Sequence, residues 1–173
     1  PADLLVLPEL CTTGYAFSSR AQVSEVAEEI PGGTACRVFR CLASRKKMHI
    51  VAGIAENKAG KVYNTAVLFG PGGISGIYRK LHLYNYENRL FLPGDIPLSV
   101  HKAGGAKIGI MICFDYFFPE TMRTLALKGA DIICHPANLV LPYCQDMMVT
   151  RCLENRVFAV TANRTGSEKR GKV

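Results

Sequence analysis

The chain has 173 residues, of which 49% are hydrophobic and 20% charged, a composition that excludes disorder and allows one domain with a real core. Its net charge of +7 is scattered except at Arg45-Lys46-Lys47 and at Lys169-Arg170-Gly171-Lys172. No aromatic residues are interleaved with these runs as in single-strand binders, so a solvated surface attractive to anions is expected and nucleic acid is not.

Taken in order, Asp3 to Leu7 reads as a buried strand that Pro8 closes, delivering Glu9 at its end. A carboxylate there is either a solvated rim residue or, once partly buried, a group of raised pKa suited to a general base. The segment Thr12-Thr13-Gly14-Tyr15 then turns. Gln22 to Ile30 is predicted as a short helix stopped by Pro31-Gly32-Gly33. Thr34 is placed to cap a second helix, Ala35 to Met48, with Val38 and Leu42 on its buried side and Arg45 to Lys47 on its solvated one. Cys36 and Cys41 on it are expected to serve packing. His49 to Ala55 and Val62 to Gly70 are predicted as strands across a turn at Asn57 to Gly60, and Ile74 to Tyr78 follows after Pro71-Gly72-Gly73. Such a run argues for local antiparallel pairing within an α/β chain.

The alternation Tyr78, Lys80, His82 predicts Lys80 and His82 on one face, opposite Leu81 and Leu83. A lysine among apolar neighbours has a depressed pKa or holds an oxyanion; an edge-strand lysine that discourages aggregation is the competing reading. Tyr84 to Asn88 is a predicted loop carrying Glu87, with tyrosines that line either a pocket or the surface. After a polar turn at Lys102 to Gly105, Ile108 to Cys113 reads as a strand buried on both faces, and Pro119 opens a helix that ends at Gly129. Cys113 thus stands at the C-terminal edge of a buried strand before a helix, which favours a thiolate; an ordinary buried cysteine is the alternative.

Asp131 to His135 is predicted as a strand ended by Pro136, with Asn138 just beyond it, either a hydrogen-bonding group for an amide or a turn residue. Tyr143 to about Arg156 is a helix whose Cys144, Met148 and Cys152 form a core stripe and whose Arg151 and Glu154 pair. Val157 to Ala162 is the last predicted strand, and Asn163 begins a polar tail. The seven cysteines are odd in number and lack CxxC pairs, so reduced thiols are expected rather than disulfides or a zinc site. No apolar run reaches the ~20 residues of a membrane helix and no basic-then-apolar leader is present, which predicts a soluble, cytoplasmic protein without a membrane partner. The chain opens on PADLLVLPEL without an initiator Met, as a processed product or a fragment would.

Glu9 after Leu7-Pro8, Lys80 in RKLHL and Cys113 in MICFD, each near a strand end, resemble the Glu, Lys, Cys triad of the nitrilase, or carbon–nitrogen hydrolase, superfamily. The resemblance extends through Glu87, the ENRLFLPGD segment, HPAN at 135 to 138 and RCLENRVFAVTANRTG at 151 to 166, and so covers nearly the whole chain as a single domain, residues 1–173. It implies a four-layer αββα sandwich of two mixed sheets, association as dimers or larger homo-oligomers, and neither a metal nor an organic cofactor. Family members also carry a strand and helix before the Glu-bearing strand and further strands after the ANRTG region. The implied activity is hydrolysis of a small linear amide or nitrile, or next of an N-carbamoyl compound. Cys113 is then the nucleophile, Glu9 the base, Glu87 the residue positioning Lys80, and Lys80 with the Phe114 N–H the oxyanion holder. Tyr84, Phe114 and Asn138 are expected at the substrate, with Tyr15, Tyr86 and Phe118 nearby and His82 structural. An inactive interaction module of this fold is the rival reading, and a thiol or metal protein a weaker one.

Overall fold

The structure, a computed structural model, describes residues 2–168 and the backbone of 171 and 172. Two four-stranded sheets lie face to face. The first runs β1 (Leu4–Val6), β2 (His49–Lys58), β3 (Lys61–Gly70), β4 (Gly73–Arg79), with β1 parallel to β2 and the rest antiparallel. The second runs β5 (Val100–Ala103), β6 (Ala106–Ile110), β7 (Ile132–Ala137), β8 (Phe158–Asn163), an antiparallel hairpin continued by two parallel pairs. Helix α1 (Arg20–Val26) and helix α2 (Thr34–Lys46) cover the first sheet, and a single turn, α3 (Glu87–Leu90), follows β4. Helices α4 (Pro119–Leu127) and α5 (Cys144–Asn155) are the crossovers β6–α4–β7 and β7–α5–β8 and cover the second. Both sheets are mixed and the layers are α, β, β, α, the expected fold class.

The two-residue side-chain period explains the layers. In β3, Ala66 and Leu68 enter the core between the sheets, while Val67 and Phe69 face α2 with Ile50, Ala52 and Ile54 of β2. In β6, Ile108 and Ile110 face the other sheet, and Gly109 points at α4, where a Cβ would stand 3.2 Å from Leu125 and 2.8 Å from Ile133. The absent side chain lets α4 sit close on the sheet.

Several predicted details are corrected. Asp3 to Leu7 is not a buried strand: β1 is an edge strand with Leu5 40% exposed. The first helix starts at Arg20, capped by Ser19, and stops at Val26. Gly33, not Thr34, occupies the cap position of α2, and the Ala35 N–H goes instead to Glu28 Oε2 at 2.7 Å. That helix buries Ala35, Cys36 and Ala43, leaving Val38, Leu42 and Cys41 exposed. Both stripes have helical spacing, so periodicity alone cannot choose between them.

Strand β5 was not foreseen; it pairs with β6 across Gly104-Gly105. Pro136 lies within β7 rather than ending it. Its nitrogen faces β6, as the Met111 N–H bond to the Cys134 carbonyl shows, and the ladder with β6 has ended by Cys134, so no N–H is missed there. Beyond β8, the last predicted strand, a further hairpin pairs β9 (Ser167–Glu168) with β10 (Gly171–Lys172). The side chains of the basic run 169–172 lie outside the described residues. Among the described residues no helix is long and apolar enough to cross a membrane.

Candidate active site

Glu9 follows β1, and its approach to β2 depends on Gly53. A Cβ on Gly53 would stand 2.6 Å from both the Pro8 carbonyl and the Leu10 nitrogen and 2.7 Å from Glu9 Cα. The close pass lets the Cys11 N–H bond to the Gly53 carbonyl at 2.9 Å. Glu9 is thereby fully buried. Its Oε1 accepts from Lys80 Nζ and from Asn64 Nδ2, each at 2.7 Å, while Oε2 has no partner among the described residues.

Lys80 is also fully buried. Beyond Glu9 it reaches both oxygens of Glu87, at 3.0 and 2.8 Å. Glu87 opens α3 rather than lying on a loop and is 1% exposed. It also accepts from the Tyr84 N–H at 2.6 Å. The depressed lysine pKa expected from apolar neighbours is therefore corrected: burial pulls it down, but Glu9, Cys113 and Glu87 around it raise it well above the ordinary lysine value. Lys80 and His82 also part company, because β4 ends at Arg79 and strand alternation ends with it. His82 instead bonds Asp115 through Nδ1 at 2.8 Å and stacks on Phe118 with ring centroids 3.7 Å apart.

Cys113 begins a short 3-10 turn, Cys113–Phe117, three residues past the end of β6. Its φ is +42°, a left-handed conformation that the surroundings must hold. Asp115, fully buried, fixes the turn by accepting from the Ile112 N–H, the Tyr78 hydroxyl and the His82 N–H. The Cys113 carbonyl accepts from His135 Nε2 at 2.9 Å, and its Sγ donates to the Asn138 carbonyl at 3.4 Å. The predicted thiolate-favouring position is not found. Burial raises the Cys113 pKa well above the ordinary thiol value, and Glu9 raises it further, against the opposing pull of Lys80. Burial likewise raises Glu9, assisted by Glu87 and opposed by Lys80. Burial thus disfavours the charged forms of both Cys113 and Glu9, with Lys80 as the cation that opposes it.

Tyr84 and Phe114 line a cavity of about 10 Å³ with Cys113, Tyr116 and the Leu139–Leu141 segment, room for about one water. Asn138 meets Cys113 through its backbone; its side chain is 1% exposed, and neither Nδ2 nor Oδ1 has a partner among the described residues. Tyr86 is 40% exposed and stands immediately before Glu87 at the start of α3. Asn64, Asp115 and His135 were not foreseen at the site. Asn64 reads as an interior residue of a strand, and His135 belongs to the HPAN motif without any sign of the carbonyl it meets. Among the described residues no group of three His, Cys, Asp or Glu side chains forms a metal cluster.

A family model for carbon–nitrogen hydrolase matches residues 1–173. The chain is similar to a nitrilase of Pyrococcus abyssi, 51% identical over 168 residues, covering 97% of this chain and 64% of that protein. It is 37% identical over 174 residues to an (R)-stereoselective amidase of Pseudomonas sp., covering 99% and 62%. It therefore spans less than two thirds of the length of these relatives. Among solved structures, a carbon–nitrogen hydrolase from Helicobacter pylori G27 matches with a TM-score of 0.87 at 27% identity, over 96% of this chain and 62% of that one. A mutant amidase from Nesterenkonia sp. AN1, which carries the product of Michael addition of acrylamide at its active-site cysteine, matches with a TM-score of 0.81 at 28% identity over 99% and 68%.

Proposed function

This chain belongs to the carbon–nitrogen hydrolase family, and we propose that the protein carrying it hydrolyses a small amide or nitrile through a thioester, or for a nitrile a thioimidate, on Cys113. The observation that carries the reading is the buried triangle in which Lys80 Nζ bonds Glu9 and Glu87 together, with the Cys113 thiol in the same electrostatic field. Burying three charged groups is costly unless their arrangement is used, and perturbed ionisable groups beside a cavity favour a reactive site.

In this mechanism Glu9 takes the thiol proton as the Sγ–C bond forms, so no free thiolate has to persist in an acidic surround. The carbonyl electron pair moves to oxygen, held by the Lys80 ammonium and the Phe114 N–H. Glu9 returns its proton to the departing nitrogen, ammonia or an amine leaves, and the thioester remains. Water, deprotonated by Glu9, attacks this thioester, and Cys113 leaves as the thiol with the carboxylic acid as product. Glu87 keeps Lys80 in place throughout. The unpartnered Oε2 of Glu9 supports the role of base, since it is an acceptor with no other bond to break.

The test is ammonia release by the full-length protein on an amide and nitrile panel, together with iodoacetamide mapping of all seven cysteines. Selective alkylation of Cys113 is expected, with a loss of roughly 10²- to 10⁴-fold in kcat for Glu9→Gln and no turnover for Cys113→Ala. A folded protein that is inactive on the panel and whose Cys113 reacts no faster than Cys134 would sink the reading.

A further inference from the structure

The peptide joining Cys113 to Phe114 has two polar edges, and the chemistry above uses only one. Its carbonyl accepts from His135 Nε2 at 2.9 Å. A carbonyl oxygen cannot donate, so Nε2 carries the ring proton, and Nδ1 is left to accept from the Thr161 hydroxyl at 3.0 Å. The tautomer is set from both sides. In a trans peptide the C=O and N–H lie in one plane and point opposite ways, so anchoring the carbonyl on β7 aims the Phe114 N–H away from that strand. A hydrogen bond to the carbonyl also polarises the group and makes its N–H a stronger donor, the more so because His135 is fully buried.

We infer that His135 is a positioning residue for the oxyanion-holding peptide: it orients and sharpens the Phe114 N–H, and Thr161 holds its tautomer. This rests on the reading of Cys113 as nucleophile. It predicts a dependence on electrophile, because attack on a carbonyl builds an oxyanion whereas displacement of iodide does not.

The experiment measures, in the full-length protein, acylation of Cys113 by p-nitrophenyl acetate and its alkylation by iodoacetamide, for wild type, His135→Leu, His135→Gln and Thr161→Val. The inference expects acylation to fall by roughly tenfold or more in His135→Leu, a fraction of the loss from removing an oxyanion donor outright, with alkylation unchanged. His135→Gln keeps an N–H donor and should recover to within about threefold of wild type, and Thr161→Val should lose about threefold in acylation alone. Should His135→Leu fail to fold, Thr161→Val, at an exposed position, carries the test. Equal losses with both reagents, or no loss of acylation, would overturn the role of His135. Absence of Cys113 acylation in the wild type would instead overturn the hydrolase reading beneath it.

Discussion

His135 also bears on stability, because its imidazole is fully buried and held neutral. Burial, assisted by Lys80 and opposed by the Cys113 carbonyl and Asp115, lowers its pKa from 6.5 to about 4. Between those values the unfolded chain binds a proton that the folded chain refuses. Stability from this residue is therefore intact above the unfolded pKa and falls as the pH drops toward the folded one, by about 3 kcal/mol in all. Urea unfolding of wild type and His135→Gln at several pH values checks this: the difference between them should shrink steadily as the pH falls from 7 to 4. A constant difference across that range would show that folding leaves the imidazole pKa unshifted.

At the scale of elements, the site depends on where strands stop. Glu9, Lys80 and Cys113 all lie just past the ends of β1, β4 and β6, where strand alternation stops and the backbone can turn a side chain inward. The crossing of the Glu9 segment over β2 at Gly53 is the tightest of these arrangements. Gly53→Ala puts a methyl group against backbone rather than against a side chain that can swing away. We expect a stability loss of about 1–3 kcal/mol by urea unfolding and a fall in kcat of roughly 10²-fold, with folding retained. Unchanged kinetics would mean that the crossing does not position Glu9. A second clamp comes from the final hairpin, where the Glu168 carboxylate accepts from the Ala16 N–H at 2.7 Å and the Tyr15 N–H at 3.0 Å and pairs with Arg164. It fixes the loop that carries Tyr15.

On the scale of the whole molecule, the site straddles two sheets. Glu9, Lys80 and Asn64 ride on the first, Cys113 and His135 on the second, and the core holding them in register includes Val51, Leu68, Ile108 and Cys134. Leu68→Ala, at a fully buried position between the sheets, should cost about 2–5 kcal/mol by urea unfolding. Loss of the selective iodoacetamide reactivity of Cys113 should then track unfolding of the whole domain. Selectivity that disappears well before the global transition would show that the two sheets part independently.

Through its resemblance to one family, the sequence by itself determined the fold class, and it singled out Glu9, Lys80 and Cys113 as candidates for the site. Layering follows from side-chain period, and Glu9, Lys80 and Cys113 each stand where an apolar run breaks, with spacings that resemble one family. It did not determine which apolar stripe of α2 is buried, that a strand lies at Val100–Ala103, or that Pro136 sits inside β7, since each depends on a partner far away in the chain. Charge state was likewise decided only in three dimensions. The same lysine is low in pKa among leucines and high between two carboxylates, and the same thiol is acidic at a helix end and weakly acidic when buried beside Glu9. Electrostatic energy depends on distance and solvent exclusion, and local sequence specifies neither for groups brought together from opposite sheets.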